Sequence, residues 1–149
     1  MSLTSVNTIL SDSLANLDGY AVLRKGRESD INLYSDRDKP LYWWLLPYTE
    51  NFGNISNQNR YIESHPITIY IVNQDKESAD NNETFAIIAA CEILAQKLIQ
   101  YVYEAALGVD QCEITGASIQ HIIKFKAQNI YSGVALRFTI SLPNTETIC

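Results

Sequence analysis

Residues 77–107 read ESADNNETFAIIAACEILAQKLIQYVYEAAL, and the spacing of apolar residues in this stretch predicts one long amphipathic helix. Phe85, Ile88, Cys91, Leu94, Ala95, Leu98, Val102 and Ala105 recur at three- and four-residue intervals, the period that lines one stripe of a helix. Ala, Leu, Glu, Gln and Lys fill its middle, with neither Pro nor Gly, so intrinsic propensity agrees with the pattern. Ser78, Asp80, Asn81 and Asn82 are candidate N-caps, and the carboxylates of residues 75–83 suit the positive end of the helix dipole. Gly108 follows as the expected left-handed stop. A stripe this long needs a surface to cover it, and the segments on either side supply a sheet.

Upstream, residues 60–73 are RYIESHPITIYIVN, whose β-branched core ITIYIV predicts a central strand. Pro66 stands near its start, where a missing N–H costs least. His65 reads as a strand-edge polar residue, with no Cys, Asp or second His at ligand or triad spacing. Residues 41–48, LYWWLLPY, place two Trp, two Tyr and three Leu in eight positions. Alternation divides them into Leu41, Trp43 and Leu45 on one side and Tyr42, Trp44 and Leu46 on the other. Both faces must be covered: one by the long helix, the other by the Asn-rich loop at 51–59 or by another subunit. The loop offers few apolar groups beyond Phe52 and Ile55, which favours the subunit. Tyr42, Trp44, Leu46 and Tyr48 are then the expected interface, aromatic anchors of the kind that dominate binding energy.

Nearer the N-terminus, Leu3, Val6, Ile9, Leu10, Leu14 and Leu17 predict a shorter helix stopped at Asp18-Gly19. Residues 20–23 predict a short strand, and residues 31–34 a second one inside a polar loop. Downstream, residues 112–126 (CEITGASIQHIIKFK) place Ile119, His121, Ile123 and Phe125 on one strand face, with Gly116 marking a bend or bulge. Gly133 opens GVALRFTISL, in which Val134, Leu136, Phe138, Ile140 and Leu142 face one way, and Pro143 ends it. The order predicts a single α+β domain over residues 1–149: one antiparallel, or mostly antiparallel, sheet packed against one long helix and a shorter N-terminal helix.

Composition narrows the function classes. Apolar residues make up 46% and charged residues 19% of the 149, which is a packed domain and not a disordered chain. A net charge of −6 opposes a broad phosphate-binding surface, so no nucleic-acid partner is expected. The segment MSLTSVNTILSDSL has neither a basic region nor a continuous apolar core, and no window approaches a membrane span. A soluble, cytoplasmically made chain follows. Cys91, Cys112 and Cys149 are too scattered for a disulfide framework or a metal cage, and Cys91 reads as a small buried hydrophobe.

Chemistry is expected to be absent. There is no GxSxG elbow, Walker loop, HExxH, CxxC pair or dinucleotide fingerprint. The carboxylate pairs Glu77 with Asp80 and Asp36 with Asp38 lie in polar surroundings that nothing desolvates. The expectation is therefore no catalytic residue, no metal and no cofactor.

The run HPITIYIVN, a polar connection, the helix ETFAIIAACEILAQKLIQYV and then YSGVALRFTISLP together resemble the small α+β structural proteins of tailed phages and prophages. Tail-terminator and tail-completion proteins of the head–tail junction are the nearest kind. The likeness covers about residues 40–143 and is one of element order and strand character. It implies a non-enzymatic virion protein, homo-oligomeric, often a six-fold ring, that meets tail-tube or neck proteins. It would be cytoplasmic during assembly and end in the virion tail. No catalytic residue carries over from such proteins, and the crowded LYWWLLPY strand and long Asn-rich loop depart from their pattern, leaving the tail position open. The rival expectation is a small-molecule-binding or hot-dog-like enzyme domain with a pocket near Trp43, Trp44 and His65.

Overall fold

Helix α2 spans Asn81–Leu107, starting where the side chain of Asp80 accepts the Glu83 N–H at 2.8 Å. The structure is a computed structural model and describes residues 2–34, 39–53, 61–109, 112–126 and 130–144. Asp36, Asp38, Ile55, Cys149 and most of the Asn-rich loop lie outside the described residues. The buried stripe of α2 is Thr84, Ile88, Cys91, Ala95, Leu98, Val102 and Ala106. Phe85, expected on that stripe, is 68% exposed. Thr84 turns inward in its place, because its hydroxyl donates to Asp75 Oδ2 at 2.8 Å. Leu94 and Ala105 are only half-buried. Gly108 closes the helix with its N–H on Ala105 O but keeps right-handed dihedrals (φ −79°), so the expected left-handed stop is not the device used.

Six strands form one mixed, mostly antiparallel sheet beside the two helices, an α+β fold. Helix α1 is Ser2–Leu17; the strands are β1 (Leu23–Gly26), β2 (Leu41–Leu45), β3 (Asn51–Phe52), β4 (Tyr61–Gln74), β5 (Glu113–Lys126) and β6 (Ile130–Asn144). Their order is β1-β2-β4-β6-β5, with β3 also paired to β4. All pairs are antiparallel except β1 with β2. Helices α1 and α2 share one face, and α2 meets β4, β5 and β6. The main core joins Ile67, Ile69 and Ile71 of β4 and Val134, Leu136, Phe138, Ile140 and Leu142 of β6 to the helices, as strand alternation predicts. The strand β6 starts before Gly133 and runs through Pro143.

The parallel pairing of β1 and β2 explains a second layer that the sequence reading placed elsewhere. Parallel neighbours need a crossover of a dozen or so residues. Here it carries a 3-10 helix, Glu28–Tyr34, where a short strand was expected at 31–34. Its Ile31 joins Leu41, Trp43, Val72 and Tyr131 in a separate buried cluster. In β5, the left-handed Lys124 (φ 48°) adds a register shift between Ile122 and Phe125. The strand phase therefore flips, and Phe125 packs with the second cluster instead of sharing a face with His121 and Ile123. Gly116 (φ 68°) marks the other shift, between Thr115 and Ser118, where a bend or bulge was expected. By length and composition alone α2 is apolar enough to cross a membrane, contrary to the sequence reading; its buried stripe lies in the main core.

Asp75 fastens the connection between β4 and α2. Its Oδ2 accepts from Thr84 Oγ1 (2.8 Å) and from fully buried Ser132 Oγ (2.7 Å), and its Oδ1 from the Lys76 N–H (2.8 Å). Burial pushes the Asp75 carboxyl up, but the hydrogen bonds from Ser132, Lys76 and Thr84 and the Lys124 charge together outweigh it, and the net shift is downward. A depressed folded-state pKa stabilises above the unfolded value, near 3.9, and that stabilisation is lost as pH falls through the folded value. Asp75→Asn should therefore cost about 1–3 kcal/mol at neutral pH, and the difference from wild type should shrink in acid. Urea unfolding of both proteins at neutral and acidic pH checks this; a gap independent of pH would assign the loss to shape and not to charge.

Candidate functional site

The expected interface lies on the aromatic strand β2 and the residues that follow it. Tyr42 and Trp44 are paired with Ile71 and Ile69 on β4 and are 3% and 1% exposed inside the main core. Leu46 and Tyr48 pack partly buried against the same core. The face expected to be free for a subunit is therefore the face under the helices. The opposite face, with Leu41 and Trp43, is covered by the 3-10 helix of the same chain, and Trp43 Nε1 donates to Gly26 O at 3.0 Å. Neither tryptophan is available as a surface anchor.

The two indoles lie on opposite faces, so Trp43, Trp44 and His65 do not line one pocket. Trp44, Tyr48 and His65 do come together: ring centroids are 5.9 Å apart for Trp44 and Tyr48, and 5.8 Å for Tyr48 and His65. His65 is not a strand-edge residue. It is 0% exposed on β4, flanked by β3 and β6. Tyr48 Oη lies 2.8 Å from His65 Nδ1, Glu63 Oε2 lies 3.4 Å from Nε2, and Glu50 Oε1 lies 3.9 Å from Nδ1. Burial, reinforced by Glu50 and Glu63, pushes the Tyr48 hydroxyl up to about 12, so it stays a neutral hydrogen-bonding group. Glu63 escaped the sequence reading altogether. The available signal was its position two residues before His65, which puts both side chains on one strand face. Glu50 could not be found that way, since only the short β3 ladder brings it alongside.

A second feature lies at the sheet's outer strand. Among the described residues no strand pairs with the outer edge of β5. Between β5 and the first turns of α2 runs an open, mostly apolar groove of about 250 Å³, lined by Thr84, Phe85, Ile88, Ala89, His121 and Ile123, with Glu92 at its rim. Phe85 and Ile123 are each 68% exposed. His121 Nε2 stands 3.7 Å from Glu92 Oε2, both partly in solvent. At the opposite end of the sheet, Tyr20 and Val22 are exposed just before β1, in a cleft they share with Arg24, Lys39 and Asp18. No family model and no curated protein matches this chain.

Cys91 offers no nucleophile: burial pushes its thiol up to about 11, so it is protonated at neutral pH. The pairs Glu77 with Lys126 (2.8 Å) and Arg27 with Asp30 (3.5 Å) are solvent-exposed ion pairs of small energetic weight.

Proposed function

We propose that the protein is a non-enzymatic assembly protein that associates head to tail with copies of itself into a closed ring, of the tail-terminator or tail-completion type found in tailed phages and prophages. The observation that carries this reading is a pair of apolar edges, unpartnered among the described residues, at opposite ends of one sheet: Tyr20 and Val22 beside β1, Phe85 and Ile123 beside β5. One edge carries Arg24 and Lys39 beside Asp18, and the other carries Glu92 beside His121, so the arginine and lysine charges of the first can meet the Glu92 carboxylate of the second, which like edges cannot offer each other. Repeating that contact buries both edges on every subunit, and a closed ring is the form that leaves none exposed. The interface moves from Tyr42, Trp44, Leu46 and Tyr48 to these edges. Tail-tube or neck proteins are the partners this reading supplies, in the cytoplasm during assembly and in the virion afterwards. A small-molecule pocket near Trp43, Trp44 and His65 has less support, because both indoles are buried on opposite faces.

Val22→Asp and Phe85→Asp should each reduce the assembly to monomers in light scattering without changing far-ultraviolet circular dichroism. Mixing the two variants should restore one good interface, Phe85→Asp supplying its β1 edge and Val22→Asp its groove, and yield a one-to-one dimer that cannot close. A wild type that stays monomeric when concentrated, or a Val22→Asp variant that assembles normally, would overturn the head-to-tail reading. The second result would point to a symmetric contact between β5 edges.

A further inference from the structure

We propose that Glu50, Glu63 and His65 bind one divalent transition-metal cation, Zn2+ by preference, which clips residues 48–52 to the middle of the sheet. One ligand atom from each residue, two carboxylate oxygens and an imidazole nitrogen, lies within 4.8 Å of the others. This donor set of one imidazole and two carboxylates suits a borderline cation more than Ca2+ or Mg2+, which take oxygen ligands alone.

The site is built by sheet register. Strand β4 places Glu63 and His65 on the helix-facing side, 5% and 0% exposed. Strand β3 pairs Asn51 with Ser64 and Phe52 with Glu63, and one step back along that ladder brings Glu50 opposite His65. Glu50 keeps a third of its side chain in solvent, which gives the cation an entry path on one side only. Tyr48 Oη, 2.8 Å from His65 Nδ1, holds the ring. A hydrogen bond at the other ring nitrogen ordinarily orients a metal-bound imidazole, and this one leaves Nε2, 3.4 Å from Glu63 Oε2, to coordinate; Glu50 Oε1, which stands 3.9 Å from Nδ1, swings to the Nε2 side to share the ion. Bonds of about 2.0–2.2 Å require the three groups to draw together by about an ångström, a movement open to the partly exposed Glu50. A site this buried is a structural clip. It fastens to β4 the segment that leaves the aromatic strand, independently of how the two outer edges are used.

The test is calorimetric titration of the chelator-treated full-length chain with Zn2+, with Co2+ absorption and thermal unfolding as second readouts. Expected are one bound ion per chain, visible Co2+ bands, a raised melting temperature, and weaker binding in mild acid as protons compete for the imidazole. Glu50→Gln, at the partly exposed position and so able to fold, should weaken binding at least roughly ten-fold and abolish the thermal shift. Glu63→Gln should act likewise. His121→Ala, which removes the exposed histidine beside Glu92, should leave both unchanged. Absence of a Zn2+-dependent thermal shift in the wild type would overturn the proposal and leave a hydrogen-bonded His65 network alone. Binding that persists in Glu50→Gln but disappears in His121→Ala would overturn it equally, by moving the ion to the groove.

Discussion

Trp44→Asp is expected to unfold the protein outright, with loss of the cooperative transition and of the near-ultraviolet signal. The indole is 1% exposed beneath the helices and belongs to the same cluster as Ile69, Leu98 and Val134. Emptying such a site costs about 3–5 kcal/mol for a large aromatic, and an unpaired carboxylate in the remaining space adds a desolvation penalty. A domain of this kind holds only about 5–15 kcal/mol in total. Trp44→Phe separates packing from polarity. The indole N–H of Trp44 has no hydrogen-bond partner among the described residues, so its loss should cost less than the truncation to Ala. At Trp43 the same change also deletes the bond to Gly26 O, and should cost about 1 kcal/mol more. If Trp44→Asp kept native circular dichroism and lost only assembly, the strand would have the opposite orientation to the one described.

That orientation is where sequence reading failed, for a definable reason. Alternation in LYWWLLPY correctly divided the side chains into two sets, but period two does not say which set faces the helices. Coverage of the second face depended on a parallel crossover, a long-range fact that the polar residues 27–40 do not encode in any periodicity. Where one face is plainly apolar, as in Val134 to Leu142 of β6, the sequence reading and the structure agree. The helix was legible because twenty-seven residues of consistent spacing average out local ambiguity. Its phase was off at the two ends: at Phe85, where the Thr84 hydroxyl and its partner Asp75 decided the first turn, and at Ala105, where Ala106 takes the buried place.

The candidate sites were less legible than the fold. Glu63 and His65 are two apart and could have been paired by strand period, but Pro66 suggested a strand start, and a strand start suggested exposure. Glu50 joins them only through the two-residue β3, below the length at which a strand shows in a sequence. The groove between Phe85 and Ile123 is invisible for a related reason: each residue sits in an apolar pattern that reads as core, yet Thr84 takes Phe85's place on the buried stripe and Ile123 shares the groove face with His121.

Gly133→Ala should be among the most damaging small substitutions in the chain, although it adds one methyl group. Gly133 sits within β6 opposite Val72 of β4 and Ile122 of β5, where the sequence suggested only the opening residue of a strand. A Cβ built there would lie 2.2 Å from Ile71 O and 2.7 Å from Val72 Cα. Both are backbone atoms of the central strand, so no rotamer change relieves the overlap, and β4 must move away from β6. Such a shift would disturb the main core through Ile71 and the second cluster through Val72 and Tyr131 at once. Overpacking usually costs about 1–3 kcal/mol, and a clash against two backbone groups belongs at or above the top of that range. Gly53→Ala is the control. A Cβ there meets Ile62 O at an ordinary 3.5 Å, and restricting the unfolded chain offsets the small contact cost. Denaturant midpoints should fall sharply for Gly133→Ala and hardly move for Gly53→Ala. Equal midpoints would mean that β4 and β6 lie farther apart at Gly133 than this register places them.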